Sequence, residues 1–282
     1  MHERSKKFYA DVIIFDINKN IFAAMKSLIS LALRYIPRKY LQLFSHWVAR
    51  FLSVFYLGNK VSCNVCGHHY RKFLPYGRNG RSNALCPHCL SLERHRMMWL
   101  FLKDKTSFFV TKLKILHIAP ELCFIKRFEA IHGDNYITAD IESPLAKVKL
   151  DVLQMPFAEG EYDVVFCNHV MEHVSDDLQA MREINRVLKP GGWGIIQVPL
   201  FYPLPEITYE DTSIVTPAER EKAFGQNDHV RLYGKDYITR LQSAGFEAEE
   251  IWLGTELPEA EVKRYALPLD EPIFFVQKPA AS

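Results

Sequence analysis

Four cysteines carry the plainest chemistry in the chain. Cys63-x2-Cys66 and Cys86-x2-Cys89 are two short pairs separated by 19 residues. Each pair can bend round one ion through a tight turn, helped by Gly67 after the first pair and Pro87 inside the second. Four thiolates complete a tetrahedron and leave no position for water, so the spacing predicts a Zn2+ site that supports folding and does not activate a nucleophile. Iron in the same cage, or one of His68, His69 and His88 in place of a thiolate, is the alternative. A second group of chemistry-bearing side chains falls where apolar runs end. Asp140 closes Tyr136-Ile-Thr-Ala-Asp-Ile141, and Asn168-His169 follow the run Tyr162–Cys167. A carboxylate at the end of a strand can accept hydrogen bonds from both hydroxyls of a ribose, as in dinucleotide-binding folds. A helix cap or turn residue is the plainer role for the same aspartate.

These residues need a scaffold that brings strand ends together. From Lys112 onward, apolar runs and helical periodicity alternate, the pattern of a mostly parallel sheet. Strands are predicted over 114–119, 136–141, 162–167, 193–198, 247–252 and 273–277. Helices are predicted over 91–103, 122–131, 176–188 and 235–244. Lys189-Pro190-Gly191-Gly192 stops the third of these before a strand. The fold class is therefore α/β: a Rossmann-like sheet with helices on both faces, preceded by a small zinc module and N-terminal amphipathic helices. Three segments follow: 1–60 amphipathic helices, 61–110 zinc module with its connecting helix, and 111–282 the α/β domain.

Charge is divided along the chain. Residues 1–60 carry 10 Lys/Arg and 3 Asp/Glu (+7), residues 61–110 carry 8 and 2 (+6), and residues 111–282 carry 17 and 28 (−11). A basic front on an acidic back implies an anionic partner for the front, or docking of the two. Arg71, Lys72, Arg78, Arg81, Arg94 and Arg96 surround the cysteines and suit either role. Residues 20–57 read as two helices broken at Pro37, the second with a broad apolar face and a cationic edge. Such a helix packs on its own protein or lies in the plane of a membrane surface. The uncharged stretch Tyr40–Ala49 is about half of what a spanning helix needs, so no transmembrane pass is expected. The opening residues lack the long apolar run of a signal peptide, and a cytoplasmic protein, with membrane association through 20–57 as the variant, is the expectation.

The strings CPHCLSLERHRMMWLFL, LHIAPE, ADIESPLA, CNHVMEHV, LKPGGW and FGQNDHVRLYG give the chain a resemblance to a known family. Over about residues 112–278 it resembles the type 11 family of class I S-adenosylmethionine methyltransferases. More narrowly, it looks like a bacterial subfamily with an N-terminal four-cysteine zinc module. The resemblance implies S-adenosyl-L-methionine as cofactor, with Asp140 on its ribose, and Asp151 and Val152 on its adenine. It places Asn168 and His169 at the crevice between cofactor and acceptor. In one respect the sequence departs from the family. The usual glycine-rich turn after the first strand is here His117-Ile118-Ala119-Pro120-Glu121, without glycine. Ala119 stands in as a small residue, and Glu121 is the candidate for the cofactor's ammonium group.

Methyl transfer needs alignment of acceptor and methyl, and an oxygen acceptor must also lose its proton. His229 and His169 are the candidate bases. Phe201–Gly234 reads as a long irregular insertion, where an acceptor lid would sit. Arg231 and Tyr233 within it are candidates to bind an anionic acceptor. Glu172 and His173 are read as residues that order their loop. Three functions follow from these readings. The first is a methyltransferase (a methyl-group transferase) for a small-molecule or glycan-precursor acceptor. The second is an RNA methyltransferase whose zinc module grips phosphate, disfavoured by the −11 of the catalytic segment and by the absence of an Asn-Pro-Pro-Tyr-like motif. The third is a non-catalytic binding domain that has lost its glycine turn.

Overall fold

The cysteine pairs nucleate the first layer of structure. In the computed structural model, which describes residues 50, 51, 53–77 and 80–280, two small antiparallel hairpins frame them. Strands β1 (Leu57–Ser62) and β2 (His69–Tyr70) carry the first pair between them. Strands β3 (Leu74–Tyr76) and β4 (Arg81–Leu85) lead into the second. Helix α1 (Glu93–Asp104) follows directly. The helices expected over 20–57 lie almost wholly outside the described residues, which retain of that stretch mainly a short turn at Val54–Tyr56.

Every segment predicted as a strand contains one. The large sheet contains β5 (Ile115–Ile118), β6 (Tyr136–Asp140), β7 (Val148–Lys149), β8 (Tyr162–Cys167), β9 (Leu188–Ile195), β12 (Glu247–Ile251) and β13 (Ile273–Gln277). Their spatial order is β12-β13-β9-β8-β5-β6-β7. All neighbours are parallel except β13, which is antiparallel to both β9 and β12. The chain runs outward from β5 through β6 to β7, then returns to β8 on the other side of β5. That reversal makes β5/β8 the switch point, where open α/β sheets hold ligands beyond the strands' carboxyl ends.

The period-2 alternation of each strand divides the core. Ile115, Val164, Phe166, Ile195 and Ile273 face α1 and α2 (Leu122–His132), where Phe124, Phe128 and Trp99 stack. Leu116, Val165, Cys167, Ile196 and Phe274 face α3 (Asp177–Val187) and α5 (Tyr237–Ser243). Helix α1 is thus a wall of the sheet's core, and the cysteine hairpins belong to the same compact unit as the sheet. Gly194 lets β9 approach β8, since a Cβ there would lie 2.6 Å from the carbonyl oxygen of Val165.

Three elements differ from expectation. Strand β9 begins at Leu188, so Lys189-Pro190-Gly191-Gly192 lies inside a strand, absorbed by a register shift against Tyr162–Val164. The insertion 201–234 is not structureless: it holds β10 (Tyr209–Glu210), α4 (Pro217–Phe224) and β11 (Arg231–Leu232). Two short helices, α6 (Leu253–Glu256) and α7 (Glu259–Tyr265), fill the connection between β12 and β13. Among the described residues, no helix is long and apolar enough to cross a membrane.

Candidate functional site

The cysteine centre is built from two turns of matching design. Cys63 and Cys86 each donate their backbone N–H five residues ahead, to His68 O and Ser91 O, both at 2.9 Å. Each accepts from the residue four ahead, Gly67 N at 2.7 Å and Leu90 N at 3.0 Å. Both of those residues are left-handed, with φ of +76° at Gly67 and +61° at Leu90. The turns present four sulfurs within 4.8 Å of one another. Cys63 Sγ lies 3.6 Å from Cys89 Sγ, and Cys66 Sγ 3.8 Å from Cys86 Sγ. Bonds of about 2.3 Å in a tetrahedron separate ligand sulfurs by about 3.8 Å, so the donor set fits a four-thiolate Zn2+ site. None of the four is in a disulfide.

The basic residues near this centre are put to different uses. Arg96 is fully buried. Its guanidinium donates to Tyr265 O (2.6 Å), Ala84 O (2.9 Å), Ser91 O (3.0 Å) and Ala266 O (2.9 Å), and lies 4.2 Å over the ring centroid of Phe73. Arg127 donates to Val65 O and Cys123 O. Arg96 therefore docks the module on the C-terminal segment and is closed to phosphate. Arg94 lines a pinched cavity of about 10 Å³ beside His95, Met98 and Asn168, and also the large cavity described below.

At the switch point, the turn after β5 keeps the backbone shape that glycine would favour. Ala119 has φ +51°, a left-handed conformation rare for residues with a Cβ. Its N–H donates to Ala139 O at 2.9 Å, which sets the turn against β6. His117 is fully buried, with Nδ1 2.7 Å from the Tyr136 hydroxyl and Nε2 2.5 Å from Glu121 Oε2. Both nitrogens are engaged, so its side chain acts through Glu121. The other oxygen of Glu121 accepts from Asn168 Nδ2 at 2.8 Å. Burial alone would raise the Glu121 carboxyl, but His117 and Asn168, both hydrogen-bonded to it, outweigh that and hold the group down at about 2. Burial, with Arg94 beside it, pushes His95 down to about 3, so that ring is neutral.

Asp140 ends β6 beside this turn. Its Oδ1 accepts from Glu142 N (2.8 Å) and Ser143 N (2.7 Å), so it does shape a turn, while Oδ2 is left for another donor. Asp151 is exposed, with Oδ1 on Leu153 N at 2.9 Å, and Val152 is buried against the core. Asn168 Oδ1 is buried and takes no hydrogen bond. The β5 turn, the end of β6 and the end of β8 thus meet at one sheet edge.

The predicted bases meet at a cavity of about 980 Å³. His169, Glu172, His173 and His229 share its wall with Arg94 and Phe201. His169 has φ +55°, again left-handed, and its N–H is fixed to Gln197 O at 2.8 Å. Its Nδ1 is 3.4 Å from Glu172 Oε1, and its Nε2 is buried without a partner. His229 is buried, and that burial lowers its pKa. Arg231 and Tyr233 do not present themselves to an acceptor, contrary to expectation. Arg231 is 2% exposed and donates to the carbonyls of Met171, Val174 (2.7 Å) and Ser175 (3.2 Å). Tyr233 is 1% exposed, its hydroxyl on Asp177 Oδ2 at 2.9 Å. Together they clamp the loop after β8 to β11. Arg94, Glu172 and His173 are the site residues that sequence reasoning left in other roles.

Residues 127–196 match the family described as Methyltransferase domain. That segment runs from α2 to β9 and contains Asp140, Asp151, Asn168 and Glu172. The chain is similar to 27-O-demethylrifamycin SV methyltransferase of Amycolatopsis mediterranei, at 26% identity over 117 residues, which are 42% of this chain and 41% of that protein. It is also similar to the ubiquinone/menaquinone biosynthesis C-methyltransferase UbiE of Haemophilus ducreyi, at 25% identity over 157 residues, 44% of this chain and 60% of the relative. It thus spans about half the length of these relatives. Among solved structures, the YcgJ protein of Bacillus subtilis aligns with 66% of this chain and 100% of its own, at 14% identity and a TM-score of 0.40. The family model covers 70 of the chain's 282 residues, and both curated relatives are similar to less than half of it.

Proposed function

We propose that the chain is an S-adenosylmethionine-dependent methyltransferase for a small-molecule or glycan-precursor acceptor, with a structural zinc in its cysteine centre. The observation that carries this reading is the switch-point edge. There a left-handed Ala119, a free oxygen of Asp140 and an orphaned Asn168 Oδ1 stand at the ends of three adjacent parallel strands. An orphaned buried acceptor beside an ordered carboxylate fits a cofactor carrying hydroxyl and ammonium donors. Asp140 would hold the ribose, Asp151 and Val152 the adenine, and Ala119, Glu121 and Asn168 the methionine end. His117 fixes Glu121 in its ionised, accepting form.

S-adenosylmethionine supplies an electrophilic methyl on a sulfonium. The protein's own work is then to place the acceptor and take its proton. His169 suits the second task, because it lines the cavity, its Nδ1 is oriented by Glu172 and its Nε2 is left unbonded. A cavity of about 980 Å³ has the size of a pocket for a drug-sized molecule or a glycan precursor. The RNA reading loses ground, because Arg96 is already committed to carbonyls.

A thermal shift with S-adenosylmethionine and S-adenosylhomocysteine tests the proposal, since a ligand of the folded state raises the midpoint. Asp140→Ala should weaken S-adenosylhomocysteine by about 1.5–3 kcal/mol, the range for a hydrogen bond to a charged group. No shift with either ligand, or an unchanged dissociation constant in the variant, refutes this reading.

A further inference from the structure

Glu172, His173 and His229 bring one carboxylate oxygen and two imidazole nitrogens within 4.8 Å of one another. Glu172 and His229 are each only 1% exposed, yet Glu172 Oε2 and His229 Nε2 have no hydrogen-bond partner. A network that served only to order a loop would satisfy those atoms, because a buried polar group left unpaired is costly. The rings are also set for a ligand. His229 Nδ1–H donates to Phe224 O at 3.2 Å, and His173 Nδ1–H donates to Asp228 O at 3.2 Å. A carbonyl only accepts, so in the neutral ring each Nε2 carries the lone pair, the arrangement found in metal-binding histidines.

The supports beneath the cluster are stiff. Val230 N donates to Glu172 O at 2.9 Å and so ties the His229 loop to the Glu172 loop. Arg231 clamps the carbonyls on either side of Glu172, those of Met171 and Val174. His169 closes the group with its Nδ1 3.4 Å from Glu172 Oε1. All four side chains line the large cavity.

We propose that Glu172, His173 and His229 form a second metal site, distinct from the cysteine centre, for a divalent first-row transition ion. Two imidazoles and one carboxylate hold such an ion at about 2.0–2.2 Å and leave positions open. The open positions face the cavity and take an oxygen of the acceptor. This last assignment rests on the methyltransferase reading, whereas the metal site does not. The acceptor class is then a hydroxylated molecule, one whose O–H is acidified by the ion. Its proton passes to His169, the oxygen attacks the methyl carbon, and the C–S electron pair returns to sulfur to give neutral S-adenosylhomocysteine.

The test is a Co2+ titration of the full-length protein, followed by absorption spectroscopy and calorimetry. Wild type is expected to take up one Co2+ per chain with the ligand-field bands of a nitrogen/oxygen site. Exchange into the cysteines would announce itself by thiolate charge-transfer absorption. Glu172→Gln and His229→Ala should each weaken uptake at least about 100-fold, since even loss of a ligand's supporting partner costs about 10–100-fold. His173→Asn, on the half-exposed side, provides a variant that keeps the buried framework and should also lose the site. Wild type that binds Co2+ only through thiolates, or a folded His173→Asn or Glu172→Gln that binds like wild type, overturns the proposal. S-adenosylhomocysteine binding in the same samples separates the two readings. Binding without Co2+ uptake sinks the metal site alone, and Co2+ uptake without binding sinks the methyltransferase reading alone.

Discussion

Arg96→Met is the sharpest probe of how the cysteine module and the sheet hold each other. Arg96 sits in α1, fully buried, with its charge met by four carbonyls and no carboxylate. Each bond to a charged group contributes about 1.5–3 kcal/mol, so the gross interaction is about 6–12 kcal/mol. Most of that is offset by the desolvation of a guanidinium, several kcal/mol in a real interior. What the variant loses is the compensation for carbonyls left behind, of which Ser91 O keeps a partner in Cys86 N. Methionine preserves the stem packing near Phe73, so the cavity contribution is small. The expected loss is about 3–5 kcal/mol: three carbonyls deprived of Arg96 at about 1–3 kcal/mol each, less the guanidinium desolvation that the variant no longer incurs. For a unit of this size that lowers the midpoint by about 6–20 °C in differential scanning calorimetry. Arg96→Lys should recover less than half, because an ammonium cannot reach carbonyls on both β4 and α7 through a planar fork. A shift below about 3 °C for Arg96→Met would refute the docking role.

Three further outcomes are expected. Ala119→Gly should be neutral or stabilising by up to about 1 kcal/mol in urea unfolding, because it relieves a left-handed φ, whereas Ala119→Val should destabilise and weaken S-adenosylhomocysteine. The folded pKa of Glu121, about 2, lies below its ordinary 4.5, so its contribution is complete above pH 4.5 and is lost as pH falls toward 2. Between pH 4.5 and 3 that amounts to about 2 kcal/mol, and Glu121→Gln should flatten the fall of the melting midpoint over that range, while parallel curves would contradict the His117–Glu121 pairing. Cys66→Ser should lose bound zinc by elemental analysis and cost solubility more than S-adenosylhomocysteine affinity, since the cysteine centre supports the fold from outside the cofactor edge.

What was legible in the sequence is what local periodicity writes. The strands 115–118, 136–140, 162–167 and 273–277 match their apolar runs, because a buried strand must be apolar along its own length, whereas the edge strand 247–251, Glu-Ala-Glu-Glu-Ile, is mostly exposed. Helix α4 was legible too and overlooked: Thr216-Pro217-Ala218-Glu219 spells a capped start, and Thr216 and Glu219 do form the reciprocal cap. The start of β9 was not, because Pro190 and two glycines argue for a turn and only the partner strand β8 supplies the bulge that admits them.

Side-chain roles separate along the same line. Asp140 and Asn168 could be placed because a strand end in a parallel sheet has a fixed address relative to the switch point. Arg231 and Tyr233 could not, because a polar residue in an insertion carries no sign of whether it faces a ligand or its own protein. Their partners, Asp177 and the carbonyls after β8, lie 56–60 residues upstream, and only the folded chain brings them under β11. The same long return explains Glu172 and His229, which are 57 residues apart and share no periodicity. Read alone, Glu172-His173 orders a loop and His229 is a candidate base. Once Arg231 pulls the two loops together, their unbonded atoms converge on one point at the cavity wall. A residue assigned to the acceptor thus turns out to position a cluster at the cavity wall.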